Sequence, residues 1–251
     1  MSRPYSTIGG CKVIEADSLD LQRQHNVLWT RVFGEPQGAT ALSLFYLQCE
    51  AGETPHLGFG ESEAVFYLLE GRARVVISGT AIDVHQGCGI HVREGETCGF
   101  VGAADRVTRW LAVVCPQCAE IGFNEQPRGT FDQRHPERVV DGARSTSHST
   151  ADRYYKLLVG PSVGSRSITQ FIGKIPKSRA PEHFHLYEEV IYILSGHGRM
   201  WAGEHAAEVG PGSMIFLPRK QRHSLECLHE NGMELVGMFY PAGSPAVSYE
   251  S

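Results

Sequence analysis

Strand-length apolar runs recur along the whole chain: "ALSLFYLQC", "AVFYLLEG", "ARVVISG", "RWLAVVC", "SITQFIGKI", "EVIYILSG", "GSMIFLP" and "MELVGMFYP". They are rich in β-branched and aromatic residues, and Gly, Pro and acidic turns punctuate them. Long segments of 3.6-residue period are scarce; "SLDLQRQHNVLW" near the N-terminus reads as one short helix. Many short strands at regular spacing predict an all-β chain built as a sandwich or barrel.

The pattern also repeats. At an offset of 125 residues, "AVFYLLEG" (64–71) lies over "EVIYILSG" (189–196), Gly87 over Gly212 and Pro116 over Pro241. A constant offset across separate blocks is the mark of two copies of one β unit. Between the copies, "FNEQPRGTFDQRHPERVVDGARSTSHSTADR" is polar and reads as a linker or a surface arm. The expected division is an N-terminal barrel over 1–120, a linker over 121–150 and a C-terminal barrel over 151–251.

Composition narrows the function. The 251 residues, 41% of them apolar, suffice for two such cores. A net charge of −5 without clustered Lys and Arg argues against a nucleic-acid partner. No apolar run is long enough to span a membrane, and the opening "MSRPYSTIGG" lacks a secretory pattern. With seven cysteines, an odd number, reduced thiols and a cytoplasmic location are expected. "CPQC" (115–118) has no second C-x-x-C beside it and reads as small buried residues at a strand end.

Chemistry concentrates in "PEHFHLYEEVIYILSG" (181–196). In a strand, His183, His185 and Glu189 share one face, and His223 reaches the same interior from a neighbouring strand. Neutral imidazoles and a carboxylate suit divalent transition metals. A carboxylate buried without a partner would cost several kcal/mol, which a cation offsets. Three imidazoles, one carboxylate and a divalent ion leave a net +1 site that attracts an anionic or carbonyl-bearing ligand. By parity Tyr187 points inward and Glu188 outward. Tyr187, Trp201, Arg222 and Met238 are candidate substrate contacts.

The spacing resembles the two cupin motifs. His183, His185, Glu189 and Gly196 fit H-x-H-x3-E-x6-G; Gly212, Pro218 and His223 fit G-x5-P-x4-H. The usual Gly two residues after that Pro is Lys220, and the usual late Asn is Cys227. With the repeat, the chain resembles a bicupin: two tandem double-stranded β-helix, or jelly-roll, barrels. The resemblance implies one Mn, Fe, Ni, Cu or Zn ion per chain, in the C-terminal barrel. At the same offset the ligand positions of the N-terminal barrel hold Gly58, Gly60, Ala64 and Cys98, so that barrel is expected to bind no metal in the family's way. His56, Glu63 and His91 lie nearby but read as satisfied or exposed groups.

Three functions follow from the resemblance. The first is a dioxygenase similar to the quercetin-dioxygenase-like cupins, acting on a small polar or enolic molecule, with Glu189 as ligand and proton acceptor. The second is a hydrolase or lyase similar to ureidoglycine aminohydrolase, whose architecture agrees but whose ligand set differs. The third is a non-catalytic small-molecule-binding cupin. A homodimer is expected, because jelly rolls leave edge strands that a second copy covers.

Overall fold

Strands that begin at 63, 88 and 108 recur at 188, 213 and 233, so the offset of 125 is kept in the fold. Further toward the N-terminus the offset becomes 126, where Val27–Phe33 and Ser43–Cys49 correspond to Arg153–Val159 and Thr169–Ile175. The structure, a computed structural model, describes residues 5–102 and 106–247. Among them regular structure is β-strand, apart from the 3-10 turns Ala16–Ser18, Glu35–Gln37 and Pro161–Val163. No helix of the described residues is long and apolar enough to cross a membrane.

The stretch 18–29 is no helix. After the turn at Ala16–Ser18 it forms an antiparallel hairpin of Gln22–Gln24 and Val27–Phe33, with His25 in the left-handed region at φ 54°. Its apolar residues follow a period of two: Val27 and Trp29 are buried while Gln22, Arg23 and Gln24 are exposed. That period defeats a helix, which would scatter them around its surface.

The chain folds as two units, and their membership is not a simple cut. The N-terminal unit comprises Asp20–Ser145 and Leu158–Ile168; the C-terminal unit comprises Met1–Leu19, Thr146–Leu157 and Thr169–Ser251. Cys11–Glu15, expected in the first barrel, pairs antiparallel with Ser213–Leu217 of the second. The expected linker over 121–150 is likewise built into sheets: Gly122–Asn124 pairs with His56–Gly58, and Val139–Asp141 pairs with Cys88–Val92. Backbone groups of a sheet edge must find partners, and these short polar segments supply them.

In the C-terminal unit an eight-stranded sheet runs in the order Ser6–Ile8, Cys11–Glu15, Ser213–Leu217, Glu188–Ser195, Met233–Tyr240, Thr169–Ile175, Arg153–Val159 and His148–Thr150. A three-stranded sheet of His205–Val209, Gly198–Ala202 and Ser224–Cys227 accompanies it. The N-terminal unit has a seven-stranded sheet centred on Glu63–Glu70 and Thr108–Cys115 and a six-stranded one centred on Thr97–Gly102. Its core is aromatic: Phe59, Phe66, Phe100 and Trp110 form a chain of rings, ending in a stacked pair at 4.2 Å. The C-terminal core is mainly aliphatic, with Ile191, Met200, Leu217, Leu225 and Leu235.

Candidate metal centre

His183 and His185 do not lie in the strand that follows them, which begins at Glu188. His183 instead forms an isolated bridge with His223: each donates its backbone N–H to the other's carbonyl, at 3.0 and 2.9 Å. The Lys220 N–H donates to His185 O at 2.7 Å. Lys220 has φ 61°, the left-handed conformation that glycine adopts most easily and that a lysine holds here. The backbone thus fixes the three histidines from both approaches. Their ring centroids form a near-equilateral triangle with sides of 4.8, 4.6 and 4.9 Å. Their ligand atoms lie within 4.8 Å of one another.

The tautomers follow from the hydrogen bonds. Nδ1 of His183 faces the Pro181 carbonyl at 2.9 Å, Nδ1 of His185 faces the Val247 carbonyl at 3.3 Å, and Nδ1 of His223 faces the Gln221 carbonyl at 2.8 Å. A carbonyl only accepts, so each Nδ1 carries the hydrogen and each Nε2 carries the lone pair. Burial, with the neighbouring His223 and His183, pulls the His185 pKa down to about 3; burial pulls His223 down to about 4. Neutral rings with inward lone pairs are the donor set a divalent ion requires.

Glu189 enters from the first turn of the strand, its Oε2 3.7 Å from His185 Nε2. Burial pushes its carboxyl up to about 8. It reaches this place because Gly237 lies on the adjacent strand, where a Cβ would sit 3.1 Å from Glu189 Oε1 and 2.4 Å from the Phe171 ring. Tyr187 faces inward as its position implies. Its ring stacks on His185 at 4.4 Å on one contact and on Phe239 at 4.2 Å on another. Glu188 is also buried, at 2% exposure, because the outer face of this sheet is covered as well.

The histidines close one end of a cavity of about 270 Å³. Its walls are mainly apolar, from Phe171, Ile175, Ile191, Met200, Leu217, Leu225 and Leu235. The sequence missed its most informative polar member, Arg153. That residue opens the strand Arg153–Val159 just after Ala151, which has φ 51°, and its Nη2 donates to Leu225 O at 3.1 Å. Asp152 is 3.7 Å away and half exposed, a loose counter-ion. Burial lowers the Arg153 pKa from its ordinary value, yet a guanidinium stays charged.

Three expected contacts lie elsewhere. Met200, not Trp201, lines the cavity, since alternate residues of Gly198–Ala202 face opposite ways; Trp201 bonds Glu226 through its indole at 2.8 Å and stacks under Arg179. Met238 is buried on the face of Met233–Tyr240 opposite to Leu235 and Phe239. Arg222 is part-exposed and lies 3.7 Å from Glu182.

The corresponding place in the N-terminal unit is filled. Phe66, Phe100 and Trp110 stand where Ile191, Leu225 and Leu235 stand 125 residues later. Glu63 and His91 satisfy one another at 3.3 Å, and Glu63 also accepts from Ser165 Oγ and the Ser167 and Ile168 N–H groups. His56 is buried. Cys115 and Cys118 form no disulfide, and burial pushes Cys118 up to about 11, as inert small residues at a strand end require.

Comparison with known proteins agrees with this architecture. Residues 174–239 match the family model "Cupin domain", a span that contains the motif strand and all four candidate ligands, His183, His185, Glu189 and His223. A crystal structure of protein YlbA from E. coli superposes with a TM-score of 0.73 at 14% identity, covering 95% of this chain and 94% of that one. Bacillus subtilis oxalate decarboxylase, in a study of its Mn(II) centres, superposes with a TM-score of 0.71 at 14% identity, covering 94% of this chain and 78% of that one. This chain has the two-barrel cupin fold. No curated protein matches its sequence. In the C-terminal unit, His183, His185 and His223, with Glu189 beside His185, are the residues whose chemistry and orientation fit a divalent metal.

Proposed function

We propose that this two-barrel protein is a metal-dependent enzyme that oxidises a small anionic, enolisable molecule with dioxygen, using one divalent transition-metal ion held by His183, His185, Glu189 and His223. The observation that carries this reading is the convergence of three neutral imidazole edges and a buried carboxylate at the end of an apolar cavity that also contains a guanidinium. A Mn, Fe, Ni, Cu or Zn ion bound there would supply Lewis acidity and, where redox-active, chemistry with dioxygen.

The chain's own residues set the substrate. Arg153 offers a charge that its loose counter-ion leaves largely uncompensated, suited to a carboxylate or enolate. The aliphatic walls exclude water from the reacting groups and accept the substrate's apolar part. Tyr187 holds the His185 ring by stacking. Glu189, a carboxylate beside His185 at the same end of the cavity, is placed to take the enolic proton.

The test joins elemental analysis of freshly purified protein to oxygen uptake on a panel of enols, diphenols and diketones. Iron, copper or nickel together with uptake that His183→Ala and His223→Ala abolish would support the reading. Ammonia release from ureido compounds without oxygen uptake would replace it with hydrolysis. Tight binding without turnover by fully loaded protein would make the chain a binding module.

A further inference from the structure

We propose that the N-terminal unit binds a divalent ion of the zinc class at His85, Cys88 and Asp141, a structural staple that ties the segment Val139–Asp141 to the barrel. The three residues meet at one corner. His85 ends the strand Thr80–His85, Cys88 opens Cys88–Val92, and Asp141 is the register partner of Cys88. Gly87 makes the tight turn between the first two, with φ 91°.

Their ligand atoms lie within 4.8 Å of one another. His85 Nδ1 faces the Gln86 carbonyl at 2.9 Å, which places the hydrogen there and the lone pair on Nε2. That lone pair confronts Asp141 Oδ2 at 3.5 Å. Cys88, only 2% exposed, brings sulfur to the same corner. Imidazole nitrogen, thiolate sulfur and carboxylate oxygen form a zinc-type set, and ligand atoms around a tetrahedral ion sit roughly 3.3–3.7 Å apart. A contraction of about 1.1–1.5 Å at most closes the group, with a fourth position left for water.

The duplicate makes the contrast. In the C-terminal unit the same corner holds Gly210, Ser213 and Glu15. There Ser213 Oγ donates to Glu15 Oε1 at 2.7 Å and accepts from the Gly210 N–H at 2.8 Å, so the corner closes by its own hydrogen bonds. In the N-terminal unit the hydroxyl has become a thiol and the glycine an imidazole, so three metal-ligating groups meet at the corner, with Asp141 Oδ1 accepting the Ala143 N–H at 2.8 Å and Oδ2 lying 3.6 Å from Arg144 Nε.

Cobalt(II) titration of the full chain, followed in the near ultraviolet, tests this directly. The cavity histidines include no thiolate, so the thiolate-to-cobalt charge-transfer intensity that Cys88→Ser removes reports the new site. The band is expected in wild type and in His183→Ala, to be bleached by zinc, and to vanish in Cys88→Ser. Cys88→Ser places at the corner the residue its duplicate already carries, which keeps the variant foldable; circular dichroism checks this. Asp141→Asn is expected to weaken cobalt about 10-fold or more. Absence of the band in wild type, or its survival in Cys88→Ser, overturns the assignment. So does zinc that leaves amide exchange across 139–145 unchanged.

Discussion

Arg138 and Glu96 form the pair on which the polar segment 128–141 depends, and removing either should unfasten it. Arg138 is 0% exposed, and its Nη1 and Nη2 donate to the two Glu96 oxygens at 2.7 and 2.9 Å. Its Nε donates to His135 O at 2.6 Å, and its guanidinium lies 4.8 Å from the centre of the Phe131 ring. Glu96 also accepts the Arg93 and Asp132 N–H groups at 3.0 and 3.1 Å. Breaking a buried pair by deleting one partner costs about 3–5 kcal/mol, because the other charge stays buried. The two deletions should differ. Arg138→Met leaves a carboxylate with two N–H donors and the option of protonation, toward the lower figure. Glu96→Gln leaves a guanidinium that cannot lose its proton, toward the higher. Burial raises the Glu96 pKa, but the Arg138 hydrogen bonds and charge outweigh it, and the net shift is below the ordinary 4.5. A depressed carboxyl stabilises above its unfolded value and loses that contribution as pH falls through the folded one. Wild type and Arg138→Met should therefore converge in stability below pH 4.5. Urea unfolding at neutral and acid pH, with amide exchange over 128–141, measures all of this. A loss under about 1 kcal/mol in both variants, or a milder effect of Glu96→Gln than of Arg138→Met, would refute the reasoning.

Arg153→Gln should weaken oxalate, a minimal dianionic probe, by roughly 10- to 100-fold in calorimetry on metal-loaded protein, the value of about 1.5–3 kcal/mol for a hydrogen bond to a charged group, with metal content unchanged. His223→Ala should lower bound metal by about one ion per chain in elemental analysis while the N-terminal unit stays folded. Leu235→Trp, which copies the residue at Trp110 into the hollow barrel, should abolish binding of the same probe and leave metal content intact. Gly198→Ala should cost about 3 kcal/mol in urea unfolding, since its Cβ would fall 1.8 Å from Glu226 O, a backbone atom that cannot yield cheaply.

Much of the architecture was legible because β-structure writes itself in short apolar runs and duplication writes itself as an offset. The strands Glu63–Glu70 and Glu188–Ser195 coincide with runs visible at first reading. The four metal-capable residues were legible by spacing, but they converge by a different route from strand parity: His183 and His185 lie outside the strand, and a bridge ties His183 to His223. What stayed hidden was long-range. Nothing local in "GCKVIEADS" says that Cys11–Glu15 pairs with Ser213–Leu217, a partner some two hundred residues away. Arg153 stands beside two tyrosines and a lysine in a run whose burial is mixed, so its role emerges only when Leu225 and the cavity come to it. Trp201 and Met238 are candidate contacts by sequence, and strand parity turns both away from the cavity.

The deepest consequence of the duplication lies in how each barrel treats its interior. Two copies of one scaffold enclose comparable space, and close packing is the stable way to fill it. The N-terminal unit does so with rings: Phe66 on Phe100 at 5.5 Å, Phe100 on Trp110 at 4.2 Å, all essentially inaccessible. The C-terminal unit places Ile191, Leu225 and Leu235 at the same points and leaves about 270 Å³ open. Exchanging rings for aliphatic chains forfeits dispersion contacts, a loss that grows with the void it creates. The loss falls in the barrel that also gathers three imidazoles and a carboxylate, among which burial disfavours the charged forms of His185 and Glu189. Stability is therefore concentrated in one copy and relinquished in the other at the one place where a ligand and a cation can recover it on binding. A duplicated fold makes that division possible, because the solid copy no longer has to carry the chemistry.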